Sequence, residues 1–124
     1  MIQQSFSWRR RGESFRYAFA GLRTALRTEH NMWLHFAATI GVISLSIAYS
    51  VTLVEAGILI ISISLVWMAE LFNTCIEKMM DFISTDKHPK IKLIKDLSAA
   101  AVLIGAIASL VMGCIIFIPK IFPG

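Results

Sequence analysis

The stretch WMAELFNTCIEKMMD, residues Trp67–Asp81, decides how this chain is read. It continues an apolar run from Ala56 and sets Glu70, Asn73, Glu77 and Asp81 at intervals of three and four. At about 100° per residue these four project at about 0°, 300°, 340° and 20°, one helical face about 80° wide. An apolar helix therefore acquires a polar stripe on one side as it ends.

The surrounding sequence identifies the solvent. The 124-residue chain is 56% hydrophobic with a mean hydropathy of +0.69, too apolar for a water-soluble domain of that size. A single all-α membrane domain over 1–124 is expected. A spanning helix needs about 20 apolar residues, and runs over about 32–54, 56–83 and 92–118 meet that length. The second does so only with its polar end included; at 1.5 Å per residue it reaches about 40 Å, crossing the membrane and emerging near Glu70. STDKHPKIK then breaks the helix, because Pro89 disfavours helical backbone at His88. Small residues in SAAAVLIGAIAS allow the third span to pack closely on a neighbour.

Ahead of the spans, Phe15, Phe19, Leu22 and Leu26 recur at helical spacing beside Arg16, Arg23 and Arg27, an amphipathic surface helix over about 14–28. The opening residues have no apolar core before a small-residue cleavage site, so a retained start is expected rather than a signal peptide. Six arginines precede the first span and five lysines separate the second from the third, whereas 50–55 carries no basic residue. By the positive-inside rule the N-terminus and second connection are cytoplasmic and the C-terminus lies outside. The net charge of +4 is thus topogenic, and no nucleic-acid partner is expected. Cys75 and Cys114 form neither a CxxC pair nor a disulfide framework and read as reduced helix residues.

Carboxylates at a membrane boundary cost a few kcal/mol each, and several on one stripe repel one another. Positive charge should therefore sit among them, from Lys95, the arginine-rich N-terminus or a hard divalent cation. Mg²⁺ typically takes one or two protein carboxylates and completes its shell with water and phosphate oxygens. That combination suggests phosphoryl transfer, with a leftover carboxylate accepting a hydroxyl proton. Blander readings stand beside it. The stripe can be the solvated face of a helix extension with Lys78 as a surface partner, and Asn73 a helix–helix hydrogen bond. Glu29 can be a simple boundary charge, and His30 and His35 read as interfacial polar residues. The histidines and cysteines lack zinc-site spacing, and no glycine-rich phosphate loop or kinase catalytic loop is present. The residues alone leave two classes open: a membrane phosphotransferase, or a noncatalytic membrane assembly or ion pathway.

AELFNTCIEKMMD, preceded by GLRTALRTE and followed by KDLSAAAVLI, resembles the prokaryotic diacylglycerol kinase family, which includes undecaprenol kinases. The resemblance covers nearly the whole chain from Arg10. It implies a homotrimeric integral-membrane lipid kinase using MgATP, with a surface helix and three transmembrane helices per chain, in the bacterial inner membrane. It makes Glu70 the catalytic base, Asn73 its active-site companion, and Glu29 and Glu77 the metal-binding glutamates at the ATP phosphates. Lys95 and Asp96 match nucleotide contacts, as do Arg10 and Tyr17, while Asp86 and His88 fall on a loop over the nucleotide and Asp81 has a supporting place. Lys87 stands where the diacylglycerol-specific branch commonly has Tyr. EHNMWLHF and FIPKIF resemble the undecaprenol branch more closely, which favours a polyprenol and places His35 near the lipid headgroup.

Overall fold

The computed structural model describes residues 5–124. The first four residues, part of the stretch expected to be a retained start, lie outside the described residues. Four helices follow in order: α1 (Trp8–Thr28), α2 (His30–Ala48), α3 (Leu53–Ile83) and α4 (Pro89–Ile121). The last three are long and apolar enough to cross a membrane. The most extensive packing is between α3 and α4; α2 lies against α3, and α1 meets α2.

Local chemistry explains each boundary. Glu29 alone separates α1 from α2, in extended backbone, with its N–H donated to the Ala25 carbonyl at 2.9 Å. The apolar run expected over 32–54 is interrupted at 49–52, where Ser50 takes a left-handed φ of 50°. Thr52 and Glu55 then restart the chain with reciprocal hydrogen bonds: Glu55 N–H to Thr52 Oγ1 at 3.2 Å and Thr52 N–H to Glu55 Oε1 at 2.9 Å. This capping box satisfies two amides that a helix start leaves unpaired. Proline opens α4 because a first-turn residue needs no intrahelical N–H. Its N-cap His88 accepts the Lys90 N–H through Nδ1 at 3.1 Å. Helix α1 starts six residues before the expected Ser14, and α4 runs through Pro119 to Ile121, three residues beyond the expected end.

At the Thr52 end, Lys120 of α4 pairs with Glu55 of α3 at 3.0 Å, above a small core of Leu59, Ile116 and Phe117. Mid-span, Ser109 of α4 donates to the Ser62 carbonyl at 2.9 Å. Large apolar residues such as Ile60, Leu65, Ile104 and Leu110 point outward, as the lack of water in a bilayer allows. Cys75 and Cys114 are both free.

Close approach of α3 and α4 depends on Gly105. A Cβ there would lie 3.9 Å from Val66 Cα, ordinary contact for a methyl group but with no room for a branched chain. Gly105→Ala should be tolerated, whereas Gly105→Leu is expected to wedge the helices apart at a cost of about 1–3 kcal/mol. Thermal unfolding in detergent checks this: equal melting of the two variants would refute tight packing at Gly105.

Candidate functional site

The acidic stripe of α3 passes from buried to exposed along its length. Glu70 is 3% exposed and Asn73 7%; Glu77 is half-buried and Asp81 exposed. Taking the Glu55–Lys120 pair as one edge of the apolar layer, Glu70 stands about 22 Å along α3, Glu77 about 33 Å and Asp81 about 39 Å. A hydrocarbon core is about 30 Å thick, so Glu70 falls inside it near the far boundary and the other two acids fall beyond.

Each acid has a protein partner of its own. His35 of α2 places Nε2 3.3 Å from Glu70 Oε2. His35, read from the sequence as an interfacial polar residue, packs against α3 with its side chain only 17% exposed. Asn73 donates through Nδ2 to Glu77 Oε1 at 3.4 Å and accepts the Ser98 hydroxyl of α4 on Oδ1 at 2.7 Å. Ser98 Oγ also lies 2.9 Å from the Lys95 carbonyl, one turn back. Lys95 reaches Asp81 at 2.6 Å, and Lys78 reaches Glu29 at the α1–α2 junction at 3.3 Å. Of the stripe's acids Asp81 is met by a lysine, Lys95, and Glu70 by the His35 imidazole, while Lys78 pairs with Glu29. Lys78 is no solitary surface residue: it ties the stripe to Glu29 across 49 positions of sequence.

The remaining sequence candidates make local contacts among the described residues. Asp96 pairs with Lys92 on α4 rather than with α3. Tyr17 is exposed on α1 beneath the Arg16 guanidinium, 5.5 Å from its ring centre. The Arg10 carbonyl accepts the Ser14 hydroxyl. In the α3–α4 connection the Asp86 N–H donates to Ser84 Oγ at 3.1 Å, and His88 caps α4. Glu29, Asn73, Glu77, Asp81 and Lys95 therefore make contacts to or along α3, whereas Tyr17, Asp86, His88 and Asp96 show contacts within their own segments and Arg10 stands on α1.

Two features of the site carried no assignment in the sequence. Ser98 sits one turn after Lys95 on the same α4 face, a spacing that marks it in retrospect. The other is a lock on α2: Trp67 Nε1 donates to Thr39 Oγ1 at 2.9 Å, and that hydroxyl donates to the His35 carbonyl at 2.7 Å. Thr39 shares its span with polar His35, Ser44 and Ser46, so nothing local marks it out.

His35, Thr39 and Trp67 close one end of an elongated groove of about 600 Å³ between α2, α3 and α4. The groove runs past Val42, Leu59 and Val66 to Phe117 and Ile121 at the opposite boundary and is almost entirely apolar. Its volume is that of an ordinary ligand site, about 300–1,000 Å³. The His35 imidazole at that end contacts the buried Glu70 carboxylate, and the more exposed acids follow along α3.

Comparison with known proteins identifies the family. The family described as prokaryotic diacylglycerol kinase matches residues 16–117. The undecaprenol kinase of Bacillus subtilis (strain 168) is 35% identical over 109 residues, covering 88% of this chain and 89% of that protein. A diacylglycerol kinase of Synechocystis sp. is 32% identical over 109 residues, 87% of this chain but 62% of the longer relative. The diacylglycerol kinase of Escherichia coli (strain K12) is 30% identical over 100 residues, 81% of this chain and 82% of that protein. With the match running from α1 to the last turns of α4, across the acidic stripe and its partners, the chain belongs to the prokaryotic diacylglycerol kinase family of membrane lipid kinases.

Proposed function

We propose that this enzyme transfers the γ-phosphoryl group of ATP to the hydroxyl of a membrane lipid lying in the α2–α3–α4 groove. The observation that carries the reading is the buried Glu70 carboxylate in contact with His35, which lines one end of that groove, beside the step from apolar to water-facing acids. The lipid oxygen attacks the γ-phosphorus and gives its proton to Glu70. The bond from phosphorus to the bridging oxygen breaks, its electron pair stays on ADP, and the products are a lipid phosphate and ADP. Catalysis of this kind rests on positioning and on stabilising charge. Asn73 holds Glu77 in place, and Lys95 and Asp96, with Arg10, Tyr17, Asp86 and His88, form the nucleotide's surroundings.

Glu29, paired with Lys78, and Glu77, held by Asn73, are hard oxygen donors suited to Mg²⁺ delivered on phosphate. No group of three or more metal-ligating side chains occurs among the described residues, which fits an ion carried by the nucleotide better than one caged by protein. Bound there, Mg²⁺ would neutralise charge developing on the phosphates.

The charge distribution supports a chain whose N-terminus and α3–α4 connection are cytoplasmic in a bacterial inner membrane, with α1 at its surface. Three spans cannot easily enclose both substrates, which favours a closed homotrimer. Family membership sets aside the noncatalytic ion-pathway reading.

The branch-like EHNMWLHF and FIPKIF segments favour undecaprenol over diacylglycerol. Purified protein offered undecaprenol, diacylglycerol and a simple long-chain alcohol with MgATP should give the highest kcat/KM with undecaprenol, by about tenfold over diacylglycerol. The factor is modest because apolar sites discriminate weakly between tails. Preference for diacylglycerol would reverse the substrate choice, and no lipid phosphate from any of the three would remove the kinase reading.

A further inference from the structure

We infer that His35 is a positioning residue for the base: its imidazole N–H fixes Glu70 at the closed end of the groove, so that one carboxylate oxygen is held and the other is left to the lipid hydroxyl. The inference rests on the lipid-kinase reading and adds to it a role that acts through Glu70 rather than on the substrate.

Three observations carry it. A carboxylate that acts as the base is an acceptor only, so in that role the contact at 3.3 Å takes its hydrogen from Nε2 of His35. Both groups are sheltered, with side-chain exposures of 17% for His35 and 4% for Glu70, so the contact is not a wandering surface pair. The His35 backbone is itself fastened: Thr39 Oγ1 donates to its carbonyl while accepting the Trp67 indole N–H, which joins this turn of α2 to the helix that carries Glu70. A histidine placed on α2 merely to read the lipid headgroup would not need that fastening.

Glu70 can choose among few alternative partners. Charged groups on neighbouring elements are engaged elsewhere: Glu29 with Lys78, Lys95 with Asp81, and Lys92 with Asp96. On its own helix, Glu77 takes the Asn73 amide. Among the described residues, His35 is the cation-capable side chain within hydrogen-bond reach of Glu70. Without it the carboxylate would be free to rotate, and misplacement of a reacting group by about 1 Å can cost on the order of 100-fold.

The test uses full-length protein in detergent or vesicles, with radiolabelled ATP and undecaprenol, and compares His35→Leu, His35→Gln and their combinations with Glu70→Gln. His35→Leu should lower kcat by about 10- to 100-fold while the KM values for ATP and lipid stay within about twofold. His35→Gln places an amide N–H near the Nε2 position and should restore most of that loss. In the Glu70→Gln background, His35→Leu should produce no further fall, because a residue acting through the base has nothing left to position. Should His35→Leu fail to assemble, His35→Asn, whose amide is too short to reach Oε2, should show the same kcat loss. Unchanged kcat, a loss confined to lipid KM, equal loss in Gln and Leu, or an additive fall beside Glu70→Gln would each overturn the inference while leaving the kinase reading standing. Wild-type protein that makes no lipid phosphate would overturn that reading and the inference with it.

Discussion

Glu70→Gln is expected to lower lipid phosphate formation by about 10²- to 10⁴-fold, the range that a positioned general base contributes, while the folded assembly survives. Glutamine matches glutamate in volume, and its amide oxygen can still accept the His35 N–H, so little packing changes around a side chain that is 3% exposed. The amide cannot take a proton from an alcohol at neutral pH, so the chemical step should fail selectively. Transfer of label from γ-labelled ATP to lipid measures the step; thermal unfolding in the same detergent, shifted by less than about 1 kcal/mol, shows that the fold is kept. Glu70→Asp is the informative companion, since it keeps the carboxylate but withdraws it by a methylene, and an intermediate rate would agree with a base whose reach matters. Normal turnover by Glu70→Gln would remove Glu70 as the base.

The stripe from which that prediction starts was readable because helical periodicity is local. Glu70, Asn73, Glu77 and Asp81 needed only their own spacing, and α3 does carry them along one path from buried to exposed. The three apolar helices were legible for the same reason, as was the break before Pro89. A connection at 50–55 was legible, but the end of α2 at Ala48 was not, because what stops the helix is a left-handed Ser50 followed by the Thr52–Glu55 capping box, polar cues beside the apolar Val51, Leu53 and Val54.

The pairing of the acids was not legible, because it is decided between segments. Lys78 reaches back 49 positions to Glu29, His35 lies 35 positions from Glu70, and Ser98 lies 25 from Asn73. Composition says only that cations must be near. Which cation faces which acid follows from how α2 and α4 are rotated against α3, and that rotation depends on contacts such as Gly105 beside Val66 and Trp67 on Thr39. His35 shows the consequence: a histidine near a predicted boundary has no local feature to distinguish an interfacial residue from one turned inward toward a carboxylate.

Asn73 joins one of these long-range contacts, Ser98 of α4, to Glu77 on its own helix, and Asn73→Leu is expected to lower kcat by about 10²-fold. The substitution removes the donor to Glu77 and the acceptor for Ser98 together, in a site that is 7% exposed. The stability change should be smaller, about 1 kcal/mol, because leucine returns apolar contact and the Ser98 hydroxyl can turn to the Lys95 carbonyl 2.9 Å away. Ser98→Ala separates the two bonds. It deletes only the tether to α4 and leaves Asn73 Nδ2 on Glu77, so its kcat should stay within about tenfold of wild type. Steady-state kinetics with MgATP and undecaprenol, beside thermal unfolding, distinguishes the cases. If Ser98→Ala loses as much as Asn73→Leu, the α3–α4 tether controls the rate. If Asn73→Leu alone is impaired, and a higher Mg²⁺ concentration recovers part of the loss, the controlling bond is the one that aims Glu77 at the phosphate-borne cation.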